Sequence, residues 1–119
     1  MNRLSVTTRT GPSGPVVEMR GELDYHSAPQ ARDVLSTLRM APGQRLLLDL
    51  GGLTFCDSSG ISVMIALRNH ALAARSEVAL VAVPERIVRV FRVIGLEPIF
   101  PSYPTERDAD DAWAPRVGD

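Results

Sequence analysis

The chain has 119 residues, one cysteine and a formal net charge of −1, and this length suits a single domain that folds without disulfides or metal ions. A nearly neutral chain has no electrostatic footprint for nucleic acid, and no apolar run approaches the ~18 residues of a membrane span. The amino-terminal segment lacks the apolar core of a signal peptide, and a lone cysteine fits a reducing compartment, so we expect a soluble cytoplasmic protein with neither a nucleic-acid nor a membrane partner.

The chain begins with two alternating segments that predict a β-hairpin. Apolar and polar residues alternate from Leu4 to Thr8, and again from Val17 to Leu23. Such alternation is typical of a strand with one buried face. Residues 10–15, between the two segments, are dense in glycine and proline, so we expect an antiparallel pair of strands.

A helix is expected after the hairpin. Ser27 and Gln30 have the spacing of a capping box, and Pro29 is tolerated in a first turn because its missing N–H has no helical partner there. An apolar face then recurs at helical spacing; it consists of Ala31, Val34, Leu35 and Leu38. The sequence Ala-Pro-Gly at residues 41–43 is expected to stop this helix.

The central stretch predicts a strand, a loop and a second helix. Residues 46–50 form a nearly continuous apolar run, as in a strand covered on both faces. The glycine pair 51–52 and residues 53–56 are expected to form a loop. The next helix has an apolar face that includes one arginine stem; it consists of Ile61, Met64, Ile65, Arg68 and Leu72. The tetrad Asp57-Ser58-Ser59-Gly60 is therefore expected to form the first turn of a buried helix.

A further strand and helix follow this unit. Residues 78–83 are fully apolar and predict a buried strand, and Pro84 then opens a helix that Gly95 ends. The face expected to meet the core consists of Ile87, Val90, Phe91 and Ile94. Arginines 86, 89 and 92 follow the other side, and they indicate a solvated face, with phosphate or RNA binding as the alternative.

The last elements are shorter. Residues 96–100, with Pro98 inside the segment and Pro101 after it, are expected to add an edge strand, and Thr105 is expected to cap a short helix anchored by Trp113. The order ββαβαβα(βα) predicts an α/β fold with a mixed, mostly parallel sheet of four to five strands packed with helices. We expect one domain over residues 1–113 and a frayed tail over residues 114–119.

Two polar segments are expected to meet at one edge of this sheet. The loop Asp24-Tyr25-His26 follows one strand, and the tetrad at residues 57–60 follows another. Right-handed crossovers place the beginnings of the helices along a common edge. This edge is the expected working surface.

Ser58 has a chemically favourable position in the tetrad. If Asp57 is the N-cap, Ser58 is the first helical residue and its hydroxyl points to solvent, where the helix dipole tolerates an added anion. Asp, Ser and Gly are also the residues that any helix start prefers. The tetrad is therefore either a modification site or a cap and nothing more.

The residues give little support for catalysis. A serine nucleophile needs a base within about 3 Å, and His70 lies twelve residues along the helix from Ser58, roughly 18 Å away. His26 is not excluded, so a serine-dependent hydrolase stays an alternative. Cys56 is expected to be a small buried filler. We expect no enzyme, no cofactor and no metal site, because no nucleophile elbow, phosphate loop or metal-spaced cluster is present.

Three spaced motifs resemble the STAS domain of bacterial anti-sigma factor antagonists. They are Gly21-Glu22-Leu23-Asp24, the stretch from Leu48-Asp49-Leu50 through Leu53-Thr54-Phe55 to Asp57-Ser58-Ser59-Gly60-Ile61, and Gly95-Leu96. The similarity extends over about Leu4 to Phe100. Ser62 departs from the pattern, because many members have a second glycine there.

The resemblance implies a partner switch. In that family the unphosphorylated antagonist binds an anti-sigma factor, a serine kinase of the GHKL type, and thereby frees a sigma factor. Phosphorylation of the first serine after the aspartate, here Ser58 with Ser59 as the alternative, ends the binding, and a serine phosphatase reverses it. The expected partner-binding residues are Asp24, His26, Asp57, Ser58, Ser59, Gly60 and Ser62. A soluble STAS scaffold of a stressosome or transport complex is the alternative function.

Overall fold

A five-stranded sheet organises the computed structural model, which describes residues 3–113. Its strands lie side by side in chain order, with β1 antiparallel to β2 and all later neighbours parallel. The strands are β1 (Ser5–Thr10), β2 (Pro15–Leu23), β3 (Arg45–Cys56), β4 (Glu77–Val81) and β5 (Ser102–Tyr103). This confirms the predicted hairpin and the mixed, mostly parallel sheet.

The helices alternate with the parallel strands as predicted. They are α1 (Ala28–Leu35), α2 (Ser58–Ala73), α3 (Glu85–Val93), a 3₁₀ turn (Glu97–Ile99) and α4 (Glu106–Ala112). Within residues 3–113, no helix is long and apolar enough to cross a membrane. The tail proposed for residues 114–119 lies outside the described residues.

Strand β3 is longer than the sequence indicated. The predicted loop over residues 51–56 is wrong, because these residues continue the strand and pair with β2 as far as Leu23 and Cys56. The glycines that suggested a turn serve close packing instead. A Cβ on Gly52 would come within 2.6 Å of Arg20 Cγ, so the glycine makes room for that side chain.

The start of β3 is covered on both faces, as its continuous apolar run predicted. Leu46, Leu48 and Leu50 belong to the main core beneath α1, α2 and α3. Leu47 belongs to a smaller cluster on the opposite face, closed by Ala109 of α4. Burying apolar side chains on both faces fixes this strand in the middle of the molecule.

Helix α4 closes the second face through Arg45 as well as through Ala109. The Arg45 guanidinium carbon lies 5.0 Å from the ring centroids of both Tyr103 and Trp113, and its Nη2 donates to the Tyr103 hydroxyl at 3.0 Å. Thr105 caps the helix by accepting from the Asp108 N–H. The predicted Thr105 cap and Trp113 anchor are confirmed. The Trp113 ring contacts the Arg45 guanidinium, which also contacts the Tyr103 ring.

The buried faces of α2 and α3 differ in part from the prediction. In α2, Ile61 and Met64 are buried as expected, but Leu72 is 47% exposed; the buried set is Gly60, Ile61, Val63, Met64, Leu67 and Ala71. Apolar residues surround most of this helix, so spacing alone could not select the face.

In α3 only Ile87 and Phe91 are buried. Phe91 packs against Phe100 with ring centroids 5.5 Å apart, and this contact fills the space beneath the helix. Val90 and Ile94, predicted to face the core, remain exposed at 38% and 50%.

Three local predictions are wrong. Helix α1 ends at Leu35, before the stop that was predicted at residues 41–43. Ser27 makes no capping hydrogen bond in α1; its Oγ donates to the Glu22 carbonyl at 2.8 Å, and the Gln30 amide donates to the Leu4 carbonyl. The expected edge strand at residues 96–100 is a 3₁₀ turn, and the edge strand comes after it at Ser102–Tyr103. The chain turns there because Gly95 adopts a φ of +78°, which lets the Leu96 N–H bond back to the Phe91 carbonyl.

Candidate functional site

Asp57 joins the two polar segments at the carboxyl-terminal edge of the sheet. Its Oδ1 accepts from the backbone N–H groups of Ser59 at 2.9 Å and Gly60 at 3.1 Å. Its Oδ2 accepts from the Tyr25 N–H at 3.2 Å. The predicted N-cap is confirmed, and the same carboxylate holds the loop after β2 against the start of α2.

The loop after β2 is ordered by its own aspartate. Asp24 Oδ1 accepts from the backbone N–H groups of His26 and Ser27, each at 3.0 Å. These bonds, chiefly the one from Ser27, lower the pKa of the Asp24 carboxyl below its ordinary value. Asp24 is therefore a fixed negative charge that shapes the loop carrying Tyr25 and His26.

Ser58 occupies the first helical position and is exposed, whereas Ser59 is half-buried. The Ser59 N–H is engaged by Asp57, and the Ser58 carbonyl accepts from the Ser62 hydroxyl at 3.0 Å. Hydrogen bonds therefore hold the backbone of this turn at Ser58 and at Ser59. Its most accessible hydroxyl is that of Ser58.

Gly60 lets α2 approach the ends of β2 and β3. A Cβ at this position would lie 2.6 Å from Cys56 Sγ and 2.8 Å from the Leu23 carbonyl oxygen. Real side chains do not tolerate such distances, so the tetrad needs glycine here for close packing. Gly60 is buried, so it shapes the site from beneath.

Cys56 lies under the same turn and is half-buried. Burial, with a smaller contribution from the Asp57 charge, raises the pKa of its thiol to about 12. The thiol therefore stays protonated at neutral pH and acts as a packing residue, which matches the expected filler role.

His26 lines two neighbouring clefts. One, of about 450 Å³, lies between α1 and α2, with Arg32, Ser59 and Ser62 in its walls. The other, of about 320 Å³, extends towards Asp24, Arg3 and Leu4. The edge therefore brings together the predicted residues of the loop and of the tetrad.

His70 is separate from this edge, since its Nε2 lies 3.3 Å from the Leu38 carbonyl oxygen. In the described part of the chain, no group of three His, Cys, Asp or Glu side chains is arranged to hold a metal ion. The arrangement at the edge can present the Ser58 hydroxyl to another molecule.

The profile of the STAS domain family matches residues 4–109. The chain belongs to the STAS domain family. An anti-sigma-B factor antagonist of Listeria monocytogenes is 29% identical over 79 residues, which cover 66% of this chain and 69% of the relative. An anti-sigma-B factor antagonist of Staphylococcus aureus is 26% identical over 94 residues, covering 79% and 87%. The crystal structure of an anti-sigma factor antagonist from Mycobacterium paratuberculosis superposes with a TM-score of 0.79 at 26% identity, covering 92% of each chain.

The STAS domain also exposes two aromatic side chains beside the serine that the sequence analysis did not select. Tyr25 is 74% exposed and Phe55 is 47% exposed, and the Tyr25 ring meets His26 edge-on at 5.7 Å. The signal that could have selected Tyr25 is an aromatic residue in a polar turn. Phe55 was hidden by the wrong assignment of its segment to a loop.

Proposed function

We propose that this STAS domain is an anti-sigma factor antagonist whose unmodified Ser58 face binds an anti-sigma factor, and that phosphorylation of Ser58 ends this binding. The observation that carries the proposal is the exposed Ser58 hydroxyl at the first position of a capped helix. The names of the relatives supply the class of partner. The domain itself is proposed to be a binding protein and not an enzyme.

The docking surface is defined as the residues around this hydroxyl at the sheet edge. Tyr25 and Phe55 provide its apolar contacts, because large exposed aromatics are the side chains that dominate binding energies. The polar members are Asp24, His26, Asp57, Ser58, Ser59 and Ser62, with Gly60 beneath them. An exposed hydroxyl with aromatic side chains near it suits a partner surface that is shaped for a neutral group at Ser58.

A phosphate on Ser58 would act on the partner and not on the fold. It adds a charge of about −1.5 to −2, which the positive end of the α2 dipole tolerates. In a complex, that charge would be desolvated beside the Asp57 carboxylate, against a surface shaped for a hydroxyl. A penalty of about 3 kcal/mol weakens binding on the order of a hundredfold, which is enough for a switch.

The proposed partners follow from the same chemistry. The anti-sigma factor is a GHKL-type serine kinase that transfers the γ-phosphoryl group of ATP to the Ser58 oxygen, releasing ADP and the hydroxyl proton, and a serine phosphatase hydrolyses the ester. Ser58 is favoured over Ser59 because Ser59 is half-buried. Because a sigma factor acts on RNA polymerase, we place this exchange in the cytoplasm.

The test is calorimetric titration of the purified anti-sigma kinase with four forms of the chain. Wild type and Ser58→Ala are expected to bind alike, and Ser58→Ala is expected to incorporate no labelled phosphate. Ser58→Asp is expected to bind on the order of a hundredfold more weakly. Asn69→Asp adds the same charge to an exposed position of the same helix, about 16 Å away, and is expected to bind like wild type.

Two results would contradict the proposal. Labelled phosphate in Ser58→Ala would move the modified residue elsewhere. Equal weakening by Ser58→Asp and Asn69→Asp would show a general charge effect without a specific role for the first turn of α2.

A further inference from the structure

Helix α4 covers the second face of the sheet with little apolar contact of its own. Of its seven residues only Ala109 is buried, where it closes the small cluster that contains Leu47. One methyl group buries far less apolar surface than the leucine, methionine and phenylalanine side chains that hold α2 and α3 on the core. The position of α4 therefore depends mainly on polar and aromatic contacts.

Two of these contacts join α4 to the β1–β2 hairpin. Glu106 pairs with Arg9 at the beginning of the helix, and 55% of the Arg9 side chain is exposed. Asp110 accepts from the Ser13 hydroxyl at 3.3 Å. Water competes for exposed ion pairs and for long hydrogen bonds, so each contributes little net stability. The hairpin therefore holds α4 only weakly.

The third contact removes a charge from water. Arg45 is 5% exposed, its guanidinium carbon lies 5.0 Å from the ring centroids of both Tyr103 and Trp113, and its Nη1 donates to the Ala109 carbonyl at 3.4 Å. Among residues 3–113 no carboxylate pairs with this cation, and its buried Nε has no hydrogen-bond partner there. The two rings offset only part of the hydration that a buried cation loses. Closure of α4 over Arg45 therefore has an electrostatic cost.

We propose that residues 105–113, which we name the strap, open from the sheet as a unit while the strands stay folded. Opening returns water to the whole Arg45 guanidinium, including Nε, and exposes the cluster around Leu47. The closed strap keeps this cluster from water, but it also keeps the cation from water. Because these two effects oppose each other, the strap is expected to open far more often than the domain unfolds.

The strap lies away from the docking surface. It covers the first half of β3, where Arg45 and Leu47 lie, whereas the Ser58 turn follows the other end of that strand. Strands β2, β3 and β4 pair with one another beneath the strap, so their hydrogen bonds do not require it. The second face is therefore expected to become accessible without any change at Ser58, which makes the strap a separate device from the proposed phosphorylation switch.

Native-state hydrogen exchange of the purified chain, followed by NMR at pH 7 with urea below the unfolding transition, tests the proposal. The Ala109 N–H donates to the Thr105 carbonyl at 3.1 Å in a fully buried residue, so a permanently closed strap would protect it as strongly as Leu48 in β3. The protection factor of Ala109 is expected to be at least about a hundredfold below that of Leu48 and nearly independent of urea. Trp113, whose N–H donates to the Ala109 carbonyl at 3.0 Å, is expected to share the value of Ala109.

Trp113→Ala removes one ring from the guanidinium and is expected to speed exchange of the Ala109 amide at least about tenfold. Arg107→Ala, at an exposed position of the same helix, is the matched control and is expected to leave that rate nearly unchanged. Three results would overturn the proposal: equal protection of Ala109 and Leu48, a gradient of protection that shows fraying from Trp113, or a Trp113→Ala chain that exchanges like wild type. No anti-sigma factor is present in this experiment, so its failure leaves the proposed function untouched.

Discussion

The carboxylate of Asp57 holds the backbone N–H of Tyr25 at 3.2 Å while it caps the helix that begins at Ser58. One side chain thus positions the aromatic loop and the serine turn relative to each other. The docking surface depends on this relationship, because its two halves come from different crossovers of the sheet.

Asp57→Ala is expected to lower the free energy of unfolding by about 1–2 kcal/mol, because it removes the cap of α2. It also releases the Tyr25 loop, so binding of the anti-sigma factor is expected to fall further than stability alone explains. Urea unfolding and calorimetric titration measure the two effects. Asp57→Asn keeps an acceptor oxygen and is the matched control; a loss as large as that of alanine would contradict the role of the oxygen.

Gly60→Ala is expected to destabilise the chain by about 1–3 kcal/mol through overpacking. The new methyl group would meet Cys56 Sγ and the Leu23 carbonyl, and a backbone oxygen cannot move aside as a flexible side chain does. Asn69→Ala, in the exposed part of the same helix, is the control and is expected to be neutral or slightly stabilising. A Gly60→Ala chain as stable as wild type would show that the turn has room to shift.

Phe55→Ser is expected to weaken binding of the anti-sigma factor by roughly ten- to a hundredfold, because it removes an aromatic anchor. Stability is expected to change little, since the ring is 47% exposed. Leu72 has the same exposure at the opposite end of α2, so Leu72→Ser is the matched control. Equal binding by the two variants would remove Phe55 from the docking surface.

Cys56 is expected to react slowly with a disulfide reagent at pH 8. Its folded-state pKa of about 12 leaves very little thiolate, so the rate is expected to be at least a hundredfold below that of the urea-unfolded chain. The thiol proton is held more tightly in the folded state, so its stabilising contribution is complete below about pH 9 and is lost as the pH rises towards 12. Equal rates in the folded and unfolded chains would contradict this environment.

The carboxyl groups of Asp49 and Glu106 form a pair on the second face of the sheet, and their pKa values make the stability of the fold depend on pH. Burial, and the hydrogen bond with Glu106, raise the pKa of Asp49 above its ordinary value. Burial also acts to raise the pKa of Glu106, but its hydrogen bonds with Arg9 and Asp49 outweigh this and lower it. The proton on Asp49 therefore stabilises the fold only at low pH, and this contribution is lost as the pH rises through the folded-state pKa.

Asp49→Asn is therefore expected to be more stable than wild type at pH 7, by about 0.5–1 kcal/mol after solvent screening. The amide donates to the Glu106 carboxylate without a like charge. The gain is expected to shrink towards pH 3, where Asp49 is protonated in wild type. Urea unfolding at both pH values measures the difference in the free energy of unfolding, with the exposed Asp33→Asn as control. A gain of the same size at pH 3 would contradict the proposed protonation of Asp49.

The elements that follow a single period were predictable from the sequence. The alternation in β2 and the apolar run at the start of β3 each predict a strand. The parallel crossovers between the strands then place the loop after β2 next to the tetrad. The position of Ser58 on a capped first turn followed from Asp57 alone. Fold class and the location of the candidate site therefore came from local patterns.

The errors arose where tertiary packing decides. Gly51 and Gly52 have turn propensity, but strand β2 pairs with β3 on either side of Gly51, at Asp49 and again from Gly52 onwards. Val90 and Ile94 have core spacing in α3, but Phe91 and Phe100 already fill the available volume. The pattern within one segment does not show which space the neighbouring segments fill. The exposure of Tyr25 and Phe55 could not be predicted for the same reason.

The serine turn extends directly from β3, a strand whose first half has apolar contacts on both sides of the sheet. A group attached to Ser58, which is exposed, would meet only water until a partner arrives. Modified and bare chains are then expected to be equally resistant to cellular proteases. The abundance of the protein would be independent of how much of it carries phosphate, and a signal could change the balance between the two forms without any new synthesis or turnover.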